Sequence, residues 1–446
     1  MAETIVIRFE GEDSGVCELT WGQRHIWDWI ETSGAPLSMT VVRALDDGTK
    51  VDEIAEVLRF FMNRYQAMRT TLRIDADGRP RQVIARSGEV ALEVVDTDTD
   101  PAATADSVAA RHQATHFNYF HEWPVRMTLV RHRGAFTHVV TTLCHLVFDA
   151  AAAMVMFADL VDRDAETGQA KGPITGMTPM ELAAWQCSPA GLRQSDAALR
   201  YWEAQLRALP VGRTAAAATD AIEHWQLVYD SPALALAAHS IVDQLAADTS
   251  SVLLAAYAVA LARVTGRNPG TLELIVSNRF RPGYGDIASP VNQTGLCILD
   301  LAGLSFQGAV ELVRRRTFTA YKHAYFDPAR QQDMIARVTG ERGADLGLGY
   351  FVNDRRTQTA RPAGAPRPTG EEIRAARERG AIRWHRLESM NKRVMVYFDD
   401  ATDAVSIMLH ANGRYASRAT METLVREMEA VAVAAADDPG APALST

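Results

Sequence analysis

Apolar positions between residues 51 and 68, VDEIAEVLRFFMNRYQAM, recur at spacings of three and four: Ile54, Val57, Leu58, Phe61, Met62 and Tyr65. That period gathers them on one face and predicts a helix. Upstream, LTWGQRHIWDWIE (19–31) carries Trp21, Trp27 and Trp29 at helix-compatible spacing. Beyond the helix the period falls to two. TTLRID and RQVIA flank the turn ADGRP, and VRMTLVRHRGAFTHVVTTL turns at Arg133 and Gly134, so two hairpins are predicted. The second runs into TTLCHLVFDAAAA, which places His145 just past a strand. The alanine-rich stretch after it favours helix, with Asp149 set to cap its first turn.

From Glu166 to Thr178 the chain turns small and polar, ETGQAKGPITGMT. This predicts a boundary, with an N-terminal lobe over 1–170 and a C-terminal lobe over 171–446. The second half repeats the mixture: helices in ALRYWEAQLRAL, 250–264, 306–323 and TMETLVREMEAVAVAA, and strands in TLELIVSN, LCILDL, LGLGYFVND, RVMVYFDD and AVSIMLHA. TQTARPAGAPRPTG (357–370) reads as a loop, because its prolines and glycines leave little to pack. Two α+β lobes fit this alternation better than one large sheet.

Composition narrows the function. The chain has 446 residues, 47% hydrophobic and 23% charged, with a formal net charge of -9 and no basic stripe, which argues against nucleic acid as a partner. Cys17, Cys144, Cys187 and Cys297 are dispersed with no CxxC pair, so neither a zinc site nor a disulfide framework is expected. His25, His112, His116 and His121 form no recognisable metal pattern, and surface or structural roles are expected for them. The N-terminus lacks a basic segment followed by an apolar one, and no run reaches the roughly 18 to 20 apolar residues of a membrane span. A cytoplasmic protein that is not tied to a membrane is expected.

The chemistry concentrates at CHLVFDA, Cys144 to Ala150. A histidine is the side chain most easily poised near neutral pH, so His145 is a candidate base, and Asp149 one turn later can hold the backbone or pair with an arginine. An isolated HxxxD is weak, and spacing alone favours a structural histidine. The surrounding segments change the balance. LTWGQRHIW, RYQAMRTTL with Arg64, Arg69 and Thr70, CHLVFDA, TPMELAAW, YWEAQL, SNRFRP, SPVNQTG and YFVNDRR stand in one order along nearly the whole chain. In that order they resemble the condensation domains of nonribosomal peptide synthetases, within the chloramphenicol acetyltransferase-like superfamily.

The resemblance implies a V-shaped pseudo-dimer of two α+β lobes with a tunnel between them. A carrier protein delivers an acyl group on a phosphopantetheine arm, and the acceptor enters from the other face. His145 falls on the family's catalytic histidine, which deprotonates the nucleophile or stabilises the tetrahedral intermediate. Asp149 falls on a structural aspartate that pairs with an arginine of the C-terminal lobe, here Arg279 by position or Arg69 as the alternative. Asn292 matches a tunnel-lining asparagine. No metal or organic cofactor is implied. Cys144 replaces the family's first motif histidine and Ala150 its glycine. Cys144 is expected to fill space, since adjacent residues on an extended chain face opposite ways, with a nucleophile as the sharper alternative. Ala150 either narrows the acceptor side or extends the helix. The three tryptophans are expected in the core, with a substrate wall as the alternative, and the arginine run Arg314 to Arg316 on a solvated face, with a docking site for an acidic carrier as the alternative.

The chain shows no adenylation-type phosphate loop and no carrier serine segment, starts at Met1 and ends soon after its last helix. The expectation is a free-standing, monomeric acyltransferase of natural-product biosynthesis that joins a carrier-bound acyl or aminoacyl thioester, supplied in trans, to an amine or alcohol. Two alternatives stand beside it: an inactive condensation-like recruitment scaffold, and a coenzyme A-dependent acyltransferase of the same superfamily.

Overall fold

The structure is a computed structural model that describes residues 3–34, 36–164, 166–210, 223–357, 366–388, 390 and 392–444. The chain divides into two compact units, Met1–Arg193 with Ser277–Gln293, and Gln194–Val276 with Thr294–Thr446.

The first unit contains strands β1 (Glu3–Glu10), β2 (Gly15–Glu18), β3 (Ser38–Ala44), β4 (Thr70–Ile74), β5 (Pro80–Ile84), β6 (Ser87–Thr97), β7 (Val125–His132) and β8 (Ala135–Cys144). Its helices are α1 (Trp21–Ser33), α2 (Val51–Arg64), α3 (Pro101–Ala114), α4 (Ala150–Val161) and α5 (Pro179–Cys187). Five strands form a sheet in the order β1-β6-β7-β8-β3, and β2-β5-β4 form a smaller one. Only β6 and β7 run parallel in the larger sheet, joined across α3. Both predicted hairpins are present, and Arg133 (φ 50°) and Gly134 (φ 86°) take the left-handed conformations that let the second turn in two residues. The stripe on α2 is real: Ile54, Leu58, Phe61 and Met62 are buried in a core shared with β1, β6, β7 and the turn after β8.

Helix α6 (Pro189–Ala208) contains the division between the units. The second unit has strands β9 (His224–Ser231), β10 (Gly270–Val276), β11 (Gln293–Leu299), β12 (Tyr350–Asp354), β13 (Ala381–Leu387), β14 (Val394–Ala401) and β15 (Ala404–Asn412). Its helices are α7 (Pro232–Leu245), α8 (Thr249–Thr265), α9 (Phe306–Lys322), α10 (Pro328–Arg342), α11 (Gly370–Ala376) and α12 (Arg418–Asp437). One seven-stranded sheet runs β11-β10-β12-β14-β15-β9-β13, parallel from β10 to β14 and antiparallel from β14 to β13. Helix α8 lies in its core, with Val252 to Ala262 buried throughout, packed against α7, α9 and α12. Among the described residues no single helix is long and apolar enough to cross a membrane.

The expected boundary at 170/171 differs from this division. The small polar stretch is a surface connection inside the first unit, because Thr175 Oγ1 donates to Asp286 and the Gln186 side chain on α5 accepts from the Trp21 N–H at 2.9 Å. A composition shift marks a loop, whereas the division follows burial. Of the loop expected over 357–370, residues 358–365 lie outside the described residues, and Thr369 forms a capping box for α11.

Candidate active site

Strand β8 ends at Cys144, paired with Ser38 of β3, and the ladder continues one step as the His145 N–H donates to Leu37 O at 3.0 Å. The chain then turns tightly, with Val147 N and Phe148 N both donating to Cys144 O (3.2 and 3.3 Å). Leu146, Val147 and Phe148 are buried, which fixes the turn in the core, while His145 is half-buried. His145 Nδ1 lies 2.7 Å from Phe148 O. A carbonyl oxygen can only accept, so Nδ1 carries a proton, and the tautomer this selects is the one with its lone pair on Nε2. Nε2 forms no hydrogen bond among the described residues. This imidazole can accept a proton at Nε2, and a main-chain carbonyl, not a carboxylate, sets its tautomer.

Asp149 is almost fully buried and serves two functions. Its Oδ1 caps α4 by accepting from Ala152 N at 2.6 Å, and it accepts from Arg279 Nη2 at 2.7 Å. Of the two arginines considered for it, Arg279 is the one in contact. Arg69 instead donates to the carbonyls of Asp13 (2.6 Å) and Ala85 (2.7 Å) and holds the chain before β2 against the end of β5. Arg279 belongs to the returning segment of the first unit, not to the C-terminal unit that the resemblance implied. Its guanidinium also reaches the carbonyls of Ile287 (2.8 Å), Gly285 (3.2 Å) and Ser289 (3.2 Å). The pair therefore ties the start of α4 to the 285–289 loop, with both charges matched as burial requires.

Cys144 points into the core, and burial pushes its thiol up to about 12. Burial thus works against a nucleophilic role for Cys144, because the thiolate is the reactive form. Ala150 is the first residue of α4 and is exposed, so its methyl group extends the helix and fills no core space.

The segment SPVNQ lies against α1. A Cβ on Gly22 would stand 2.2 Å from Pro290 O, so only glycine allows this approach. Asn278, in the left-handed region (φ 58°), donates from Nδ2 to Val291 O at 2.9 Å and holds the segment from the other side. Asn292 Oδ1 is buried and has no hydrogen-bond partner among the described residues.

Several resemblance-bearing motifs are structural. Thr20 and Gln23 form a reciprocal capping box at α1, and Gln23 Nε2 continues to Gln82 Oε1 at 2.8 Å. Arg64 holds Asp159 of α4 through both carboxylate oxygens, and Tyr65 Oη donates to the same group at 2.5 Å. Trp21 and Trp27 are buried; Trp27 meets Tyr119 edge to face at 5.5 Å. Trp29 is half-buried. His112 is buried between Thr142 and Thr128, and His116 and His121 are exposed. Sequence reasoning missed the Phe148, Ile287, Gly285 and Ser289 carbonyls, since a main-chain acceptor leaves no signature in residue type.

The condensation domain family matches residues 14–327 of the chain. Among curated proteins, the chain is 23% identical over 287 residues to nonribosomal peptide synthetase kk1B of Curvularia clavata, covering 60% of this chain and 2% of that one. The chain thus spans about a fiftieth of the synthetase's length. Among solved structures it is similar to a condensation domain of the enacyloxin polyketide synthase, described as mediating chain release (TM-score 0.72, 18% identity, 94% of this chain and 82% of that chain). It is also similar to the X-domain from teicoplanin biosynthesis (TM-score 0.73, 16% identity, 96% of each chain), a domain also solved in complex with OxyB.

Proposed function

This chain belongs to the condensation domain family, and on that premise we propose that it is an acyltransferase that joins a carrier-bound acyl or aminoacyl thioester to an amine or alcohol in nonribosomal peptide or related natural-product biosynthesis. The observation that carries the reading is His145: its Nδ1–H is committed to Phe148 O, which leaves Nε2 as the nitrogen to take a proton. The acceptor's nitrogen or oxygen attacks the thioester carbonyl, and His145 Nε2 takes its proton. The C–N or C–O bond forms, the C–S bond breaks, and the same proton neutralises the departing pantetheine thiolate. A thioester is already activated, so positioning two substrates and moving one proton supply most of the rate. Asn292 Oδ1, an unmatched acceptor, is assigned to a donor group of the substrate. Asp149 and Arg279 act as positioning residues. The chemistry calls for no metal or organic cofactor in this chain, since phosphopantetheine arrives on the carrier.

A second reading, a condensation-like scaffold that recruits another enzyme, is favoured by the likeness to the X-domain and by Cys144 and Ala150 at motif positions. Mass spectrometry separates the two. The protein is incubated with acyl-loaded carriers, or with the matching acyl-coenzyme A, and a pool of amines and alcohols. A new conjugate from the carrier-bound donor supports the transferase. A conjugate from acyl-coenzyme A alone assigns it to the coenzyme A-dependent enzymes, and binding without turnover assigns it to the scaffolds.

A further inference from the structure

The parallel strands β10, β12 and β14 carry their carboxyl ends to a recess of about 410 Å³ that is lined entirely by the second unit. Open sheets with parallel strands hold small ligands in the crevice outside those ends. Leu254, Leu274, Val352 and Phe398, all buried, give the recess an apolar floor. Two of its walls carry charge. On the α8 side Asp248 is exposed and accepts only from Ser251 N and Ser251 Oγ, both at 2.7 Å, so among the described residues no cation pairs with it. On the α9 side Arg314, exposed like the rest of the run to Arg316, reaches no carboxylate among the described residues. Thr317 of the same helix has a buried Oγ1 with no hydrogen-bond partner among the described residues. Asp354, the other charge in the lining, is already matched: Arg356 holds both of its oxygens (2.8 and 2.7 Å) and Ser250 Oγ donates to it at 2.7 Å. The recess thus combines one unmatched anion, one unmatched cation, one unmatched hydroxyl and an apolar floor. A ligand that enters displaces water from all four, so the occupant that leaves none unpaired carries both charges and an apolar group.

We propose that this recess binds a free α-amino acid with an apolar side chain. Its ammonium group pairs with Asp248, its carboxylate with Arg314 and Thr317 Oγ1, and its side chain lies on the floor formed by Leu254, Leu274, Val352 and Phe398. An aminoacyl thioester has no free carboxylate to offer Arg314, so the site selects the unattached acid. The claim concerns binding alone and goes beyond the function proposed above, holding whether or not the chain transfers acyl groups.

Isothermal titration calorimetry on the full chain tests this with L-leucine, L-methionine and L-phenylalanine. At least one is expected to bind at one site per chain. The amide of that amino acid, which lacks the carboxylate, and its deamino acid, which lacks the ammonium group, are each expected to bind about tenfold or more weakly. Asp248→Asn keeps a good cap on α8, and Arg314→Gln changes an exposed side chain, so both variants are expected to fold and to bind the amino acid about tenfold or more weakly. The deamino acid has no ammonium group to lose, so its affinity is expected to be indifferent to Asp248→Asn. Thr317→Val is expected to weaken the amino acid about threefold or more with an unchanged melting temperature, because the hydroxyl has no protein partner to lose. Arg200→Gln, at an exposed arginine of α6, is expected to stay within about twofold of the wild type. No binding by any of the amino acids, equal binding of the amide or the deamino acid, unchanged affinity in either charge variant, or an equal loss in Arg200→Gln overturns the site.

Discussion

With its thiol pushed up to about 12, Cys144 carries thiolate in only about one molecule in ten thousand at pH 8. Cys297, equally buried, is raised to about 12 as well, whereas Cys187 is exposed. Iodoacetamide at pH 8 is therefore expected to modify Cys187 in the folded protein and to reach Cys144 and Cys297 only in denaturant, read by peptide mass spectrometry. Native-state alkylation of Cys144 would reopen the nucleophile reading. Asp149 allows a graded test. Asp149→Asn keeps an oxygen to cap α4 but removes the charge that matches Arg279, and Asp149→Ala removes both. Loss of the buried pair costs about 3 kcal/mol, and loss of the cap about 1 kcal/mol more, so urea unfolding should rank wild type, Asn and Ala in that order. That Asp149 would cap α4 and pair with an arginine was legible in residue type and position. The Phe148 carbonyl that orients His145 was not, because the tight turn comes from burial of three successive apolar side chains.

At the scale of elements, the motif Thr20-Trp21-Gly22-Gln23 shows how a recognisable pattern can be a folding device. Gln23→Ala removes half of the capping box and leaves the buried Gln82 carbonyl without its donor, at a cost of about 2 kcal/mol in chemical denaturation. Strand β15 carries a pH-dependent contribution. Burial, reinforced by Arg355, lowers the His410 imidazole from 6.5 to about 4. Between those values the unfolded chain binds the proton and the folded chain does not, so stability is fully present above about 6.5 and falls as the pH drops towards 4. Urea unfolding across that window should show a steeper loss for the wild type than for His410→Gln; equal slopes would contradict the assignment. Strongly periodic elements were readable from sequence, including α2, α8, α9, α12 and both hairpins of the first unit. Helix α10 was not, because PARQQDMIARVTGER is mostly polar and only Pro328, Gln331, Met334 and Val338 are buried. Nor was edge strand β3, whose last four residues are exposed and show no alternation.

At the scale of the whole molecule, the two α+β bodies expected from the alternation are present as two compact units, but their composition is discontinuous. Residues 277–293 leave the second unit after β10 and return at the first residue of β11, and the first unit thereby gains Arg279 and Asn292. No local pattern announces such an excursion, since its cause is long-range: the Asp149 carboxylate for Arg279, and the Gly22 surface of α1 for Pro290. The central claim is that His145 Nε2 moves the proton of acyl transfer. Its most direct test is the single-turnover rate at which a carrier-bound acyl thioester passes to an amine acceptor, in the wild type and in His145→Ala. The account predicts a fall of about 10² to 10⁴-fold with an unchanged melting temperature; equal rates in the two proteins would contradict it.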